Sequence, residues 1–145
     1  APMNVAAILR NKGNAIETIR PDQSVSQGCT RLSELRIGAL VVSEDGKKVD
    51  GIFSERDVIR QIARAGSDIL DLRIADIMIH EVVTCTSEDN IAHLMETMTE
   101  LRIRHLPVVE ESELIGLVSI GDVVKHRIRE TEHEAEALKA YIAAG

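Results

Sequence analysis

The sequence predicts an α+β fold: one strand–helix–strand–strand–helix unit, used twice, with the final helix extended into a tail. Three observations carry this. ELRIGALVV (34–42) and ELRIRHLPV (100–108) lie 66 residues apart and agree at six of nine positions. GIFSERDVI (51–59) returns 65 residues later as GLVSIGDVV (116–124), one residue having been lost from the turn between. AIETIRPDQSV (15–25) aligns with EVVTCTSEDNI (81–91) at the offset of 66, and the lead-in VAAIL (5–9) resembles IADIM (74–78). A unit of about 60 residues is marginal alone, whereas two copies packed through their sheets share a core. The expected division is residues 1–70 for the first unit with its lead-in, 71–130 for the second, and 131–145 for the tail.

The elements follow in order. AIETI (15–19) is a short strand by its β-formers. Next comes a helix in which Val25, Cys29, Leu32 and Leu35 share one face, with Ser24 and Gln27 spaced as a capping box. GALVVSE and VDGIF are strands joined across the charged turn EDGKKVD, and Gly66 stops the helix that follows. The second copy repeats this with EVVTC as strand, a helix burying Ile91, Leu94, Met95, Met98 and Leu101, the strands RHLPVVE and LIGLV around EESEL, and a last helix. That helix runs into KHRIRETEHEAEALKAYIAAG, where Val124, Ile128, Thr131, Ala135, Leu138 and Ile142 recur in steps of four and three. Two readings of the seam stand: a helix folding back over its own domain, or a contact with a second subunit.

Composition removes several function classes. Apolar residues make up 44% of the 145, but there is one Phe, one Tyr and no Trp, so the core is aliphatic and stacking platforms for RNA are absent. The net charge of −7 disfavours nucleic acid except at a local basic patch. No apolar run nears the ~20 residues of a membrane span, and no secretory signal is evident. Ala1 and Pro2 ahead of Met3 read as a cloning remnant. Cys29 and Cys85 read as packed, reduced thiols in the cytoplasm, with nothing near Cys85 to lower its pKa. No P-loop, Gly-x-Gly-x-x-Gly or nucleophile–base pair is present, and His80 and His105 alone do not make an enzyme. His126, Glu130 and His133 share a helical face at metal-ligand spacing, but three ligands on a solvated face argue poorly for a metal.

The repeated motif has two readings. In the bland one, Ser54 and Ser119 are helix N-caps, with Asp57 and Asp122 at the third helical position, a variant of the capping box. In the functional one, the free N–H groups of a helix start seat an anion. The carboxylate one turn in accepts both hydroxyls of a ribose, and the preceding Gly lets another group approach the backbone. The same residues serve both, so local physics leaves the choice open.

Taken together, RIGALVV, RHLPVV, GIFSERDVI and GLVSIGDVV, in register in a double unit, resemble a tandem pair of CBS domains (a Bateman module) from residue 5 to about residue 130. The resemblance implies a non-catalytic module binding adenosine-containing ligands in two crossed clefts between the repeats. AMP is the first choice; ADP, ATP, NAD or S-adenosylmethionine are the others. Carried over by position, Asp57 with Ser54 and Arg56 holds ribose and phosphate while adenine rests near Val82 and Ile103. Asp122 with Ser119 faces an adenine near Ile16, Ile37 and Gly38. Arg104 and His105 match positions that approach phosphate. Gly121 stands where the first copy has Arg56, and Gly38 where the second has Arg104, so the clefts are chemically unequal. The expectation is a cytoplasmic homodimer that senses an adenine nucleotide and signals to a protein effector in trans. The competing expectation is a structural interaction module with vestigial clefts.

Overall fold

The computed structural model describes residues 3–13 and 16–144. Ala1 and Pro2, Ala15 at the head of the first expected strand, and Gly145 at the tip of the tail lie outside them. In the first repeat the chain runs α1 (Val5–Lys12), β1 (Thr18–Ile19), α2 (Val25–Leu35), β2 (Ala39–Val42), β3 (Gly51–Ser54) and α3 (Glu55–Ala65). A 3-10 turn (Ser67–Asp71) leads to α4 (Ile74–Ile77), α5 (Ile91–Leu101), β4 (His105–Glu110), β5 (Glu113–Ser119) and α6 (Ile120–Ala144). The fold is α+β, with the unit used twice and the last helix extended. β2 is central, parallel to β1 and antiparallel to β3, while β4 and β5 form an antiparallel pair.

Local chemistry sets the helix ends. In α2 the Gln27 N–H donates to Ser24 Oγ (3.0 Å) and the Ser24 N–H to Gln27 Oε1 (2.8 Å), the reciprocal cap the sequence announces. Asn90 caps α5, accepting from the His93 N–H at 2.8 Å. Both helices end on an arginine in the left-handed region, Arg36 and Arg102, each at φ 55°. The next residue's N–H then bonds back into the helix, Ile37 to Leu32 O (3.1 Å) and Ile103 to Met98 O (3.0 Å). The chain swings away at that point, which leaves Leu35 and Leu101 exposed rather than on the buried face the spacing assigned them.

β2 is buried on both sides because its alternate residues serve two cores. Leu40 and Val42 join Phe53, Val25, Leu32 and Ile74 beneath the helices of the first repeat. Ala39 and Val41, with Ile52, face the second repeat and meet Leu114. The repeats are therefore packed through their sheets. The second repeat's own core is Ile91, Leu94, Met98, Leu106, Val118 and Val123, completed by Val5 and Ile8 of α1.

The lead-ins are thus exchanged: α1 enters the core of the second repeat, and Ile74 of α4 enters that of the first. Backbone bonds fix both crossings, Val5 N–H to Asp89 O (2.9 Å) and Ile74 N–H to Gln23 O (2.8 Å). The motif glycines receive the crossing segments. A Cβ on Gly51 would stand 2.7 Å from Ile79 O, and one on Gly116 would stand 2.5 Å from Leu9 Cδ2. The group that approaches these glycines is the chain itself.

The exchange also shortens a strand. Of EVVTC only Cys85 pairs, in a parallel bridge with Val108. Ile79 is still paired with Ile52 at the edge of the other sheet, so the residues between must cross the gap and cannot form a ladder. Burial, then the nearby Asp89, pushes the Cys85 thiol up to about 12, and burial alone raises Cys29.

α6 buries Val123, His126 and Glu130, and every residue from 131 to 144 is exposed. The tail does not fold back over its domain, which corrects one of the two readings. His126 Nδ1 lies 2.9 Å from Asp122 O and its Nε2 2.9 Å from Asn11 Nδ2, while Glu130 accepts the Met3 N–H at 2.7 Å. Those two side chains hold the N-terminal segment on α6, and His133 stands in solvent away from them. No helix among the described residues is long and apolar enough to cross a membrane.

Candidate ligand cleft between the repeats

The join of β3 to α3 is built by Ser54 and Asp57. Ser54 ends the ladder opposite Ala39, then caps the helix: the Asp57 N–H donates to Ser54 Oγ (3.3 Å) and the Ser54 hydroxyl to Asp57 Oδ2 (2.7 Å). Glu55 and Asp57 occupy the first turn, where the helix dipole favours negative charge. The capping role is therefore real in the first copy.

The second copy is tied down further. The Ser119 N–H and hydroxyl both donate to Asp122 Oδ2 (2.9 and 3.0 Å), and the Asp122 N–H donates to Ser119 Oγ (3.2 Å). Lys12, arriving with the exchanged α1, places its ammonium 2.8 Å from the same carboxylate oxygen and 3.0 Å from Leu117 O. Burial by itself would raise the Asp122 pKa, but the Lys12 and Ser119 bonds outweigh it and hold the carboxyl below the usual range.

A cleft of about 360 Å³ opens between the repeats at the first of these joins. The first repeat lines it with Gly38, Ser54, Glu55, Arg56, Asp57 and Arg60. The crossing segment adds Ile79, Glu81, Val82 and Val83, and the second repeat adds Arg102, Ile103, Arg104, His105 and Ile120. The volume falls within the range of small-molecule sites. Among the described residues none of the guanidiniums of Arg56, Arg60, Arg102 and Arg104 makes an ion pair. Burial first, and then Lys12, lowers the His105 pKa, outweighing Glu55 and Asp122, which act to raise it.

All five residues expected at the Asp57 cleft line it, Ser54, Arg56, Asp57, Val82 and Ile103, and Arg104 and His105 line it with them. Gly38, expected opposite Asp122, lines this cleft instead; a Cβ there would lie 3.3 Å from Glu55 Oε1 and 3.6 Å from His105 Cε1. Ile37 lines an outer groove with Cys29, Val58 and Ile59, and Ile16 packs against the inter-repeat core of Ala39, Val41, Ile52 and Leu114. Ser119 and Asp122 do not line the Asp57 cleft, and Lys12 engages Asp122. Sequence reasoning missed Arg60, Arg102 and Lys12. Arg60 was signalled by its position one helical turn after Arg56, and Arg102 by closing the helix that leads to Ile103. Nothing local signals Lys12, which reaches Asp122 only because the lead-ins exchange.

Comparison with known proteins places this geometry in a family. The family model described as CBS domain matches twice, at residues 11–64 and 74–129. The chain is 34% identical over 149 aligned residues to the mitochondrial CBS domain-containing protein CBSX3 of Arabidopsis thaliana, covering 97% of this chain and 72% of that one. It is similar in structure to the CBS-domain containing protein ATU1752 from Agrobacterium tumefaciens, with a TM-score of 0.83, 39% identity, and coverage of 87% and 94% of the two chains. The fold also matches the CBS domain pair of MJ0100, solved with 5′-methylthioadenosine and S-adenosyl-L-methionine, at a TM-score of 0.74 and 23% identity over 86% and 95% of the two chains. The double unit, the sheet-to-sheet packing and both matched segments agree: the chain belongs to the CBS-domain family and carries two CBS domains in tandem.

Proposed function

We propose that this chain is a non-catalytic regulatory module that binds an adenosine-containing ligand in the cleft at Asp57 and signals to a protein partner in trans. The carrying observation is that one cleft joins a capped helix start from the first repeat to an apolar wall from the crossing segment and the second. Among the described residues Asp57 Oδ2 accepts from the Ser54 hydroxyl only, which leaves Oδ1 for the ribose hydroxyls. Val82, Val83, Ile103 and Ile120 provide aliphatic surface for adenine. Four arginines that make no ion pair among the described residues, against Glu55, Asp57 and Glu81, favour a phosphorylated adenosine over the cationic S-adenosylmethionine. AMP, ADP and ATP are the ligands of choice, with NAD behind them. His105 and Arg104 sit on the phosphate side of the reading.

The ligand spans the repeats, so it favours one relative arrangement of them and thereby alters affinity for the partner. Lys12 engages the Asp122 carboxylate at the second join, which supports one ligand per chain. Two free cysteines support a reducing compartment such as the cytoplasm. The exposed tail supports a homodimer.

The deciding experiment is mass spectrometry of small molecules released on denaturing the purified protein, followed by calorimetric titration with AMP, ATP, NAD and S-adenosylmethionine. A phosphorylated adenosine that binds once per chain supports the reading. A protein that releases no such compound and melts unchanged beside all four is an interaction module with empty clefts.

A further inference from the structure

The ligand cleft makes no use of the tail. Residues 131–144 are exposed throughout, and a helix of that length without neighbours is marginal in water. Its apolar side chains are bare: Ile128 is 54% exposed, Leu138 60%, Ile142 67% and Tyr141 79%. Ile128, Leu138 and Ile142 belong to the stripe that begins at Val124, with Tyr141 beside it, whereas the domain body holds the other side of α6 through Val123, His126 and Glu130. From Ile128 onward the stripe is therefore bare.

The charges beside the stripe choose its occupant. With Ile128, Ala135 and Ile142 at heptad positions a, and Val124, Thr131 and Leu138 at d, position g holds Arg127, Glu134 and Tyr141. Position e holds Lys125, Glu132 and Lys139. In a parallel, in-register pair, each g residue meets the e residue five positions on in the other chain. Arg127 then faces the partner's Glu132 and Glu134 faces the partner's Lys139, opposite signs in both cases and on both sides of the two-fold axis. A fully overlapped antiparallel pair would instead set Lys125 against the partner's Lys139, and Glu134 against the partner's Glu134. We propose that the tail forms a parallel two-stranded coiled coil with a second copy of this chain. It sharpens the homodimer reading above, on which it rests, and places both ligand clefts at the same end of the assembly.

The experiment compares the full chain with a chain ending at Glu130, which keeps every buried residue of α6, by sedimentation. Dimer for the first and monomer for the second is the expected result, with the melting transition retained. Ile128→Cys and Leu138→Cys, each made in a Cys29→Ser background, should both cross-link to themselves under mild oxidation. They lie about 15 Å apart along the helix, so an antiparallel pair can self-link at one of them at most. Glu134→Lys should raise the dimer dissociation constant about tenfold, and adding Lys139→Glu should restore it. Arg127 already holds its own Glu130, which makes Glu134–Lys139 the cleaner pair to reverse. A monomeric full chain overturns both the homodimer and the coiled coil. A dimer that survives truncation keeps the homodimer and overturns the coiled coil, and self-linking at one site overturns the parallel register.

Discussion

Asp57 and Asp122 are the same residue of the repeat, yet one accepts a single hydroxyl and the other also holds an ammonium. Asp57→Asn keeps a helix-compatible shape and should cost well under the ~1 kcal/mol of a lost cap. Nucleotide affinity should fall tenfold or more, because bonds to charged acceptors are worth ~1.5–3 kcal/mol. Calorimetry beside a denaturant melt separates the two effects; unchanged affinity in a variant of unchanged stability would make the carboxylate a cap alone. Lys12→Ala releases Asp122. Because the pair is partly exposed, stability should change by less than ~1 kcal/mol, while titration with ATP should show binding at a second site. A stoichiometry still at one per chain would mean Lys12 is not what closes that side. His105 gives a pH dependence. Its folded pKa lies below the ordinary value of about 6.5 through burial and then Lys12, so the unfolded chain binds the proton more readily. Stability is full above about pH 6.5 and falls as pH drops from there toward the folded pKa. Asp122 acts in a lower window: its folded pKa is depressed, so its contribution is present above about 3.8 and lost as pH falls through the folded value. Melts between about pH 7 and pH 5 should show a shallower slope for His105→Gln than for the parent, and equal slopes would clear His105 of the effect.

At the scale of elements, the glycines of the two motifs should behave differently although they are equivalent by sequence. A Cβ on Gly51 meets the backbone carbonyl of Ile79, which cannot move without breaking its bonds to Ile52, so Gly51→Ala should cost ~1–3 kcal/mol. On Gly116 the obstacle is the end of the Leu9 side chain, which can turn aside, and the loss should be smaller. Denaturant midpoints of the two variants test the order; equal losses would contradict it. Helices, caps and hairpins were legible because their signals are local. Ser24 and Gln27 form the expected box, and Gly66 ends α3 at φ 81°. Both charged stretches are turns: Asp45 accepts from the Lys47 and Lys48 N–H groups (2.8 and 2.9 Å), and Glu111 and Ser112 take φ of 50° and 66° in the tight β4–β5 loop. EVVTC misled because its β-forming residues are needed to bridge two sheets and to line the cleft.

The whole molecule is one cooperative object because each repeat's core is completed by a segment the sequence places before the other. A fragment of residues 1–70 lacks Ile74, fully buried in the first core, and leaves Val5 and Ile8 of α1 with no core to enter. That fragment should show no cooperative melting transition by circular dichroism, whereas the full chain should melt in a single step. A stable, cooperatively melting fragment would show that the exchange is dispensable. The same linkage would give a ligand at Asp57 leverage on both repeats, since the cleft there is lined by the first repeat, the second and the crossing segment.

What the sequence determined by itself is whatever repeats or alternates within a few residues of itself: the doubled unit, the helix faces, the caps, the hairpins, and the motif that brings Ser54 and Asp57 together. It also named Val82 and Ile103 as the opposite wall, and Arg104 and His105 as positions near phosphate, through resemblance to a family rather than through spacing. Only the tertiary structure decided that Lys12 sits on Asp122, that Gly38 lines the other cleft, and that the motif glycines admit Ile79 and Leu9. It also decided that the tail leaves its domain bare. The place of Lys12 and the neighbours of the motif glycines depend on the lead-in segments crossing between repeats. No period in a chain records such a crossing, because the bonds that fix it join residues far apart in sequence, such as Val5 to Asp89.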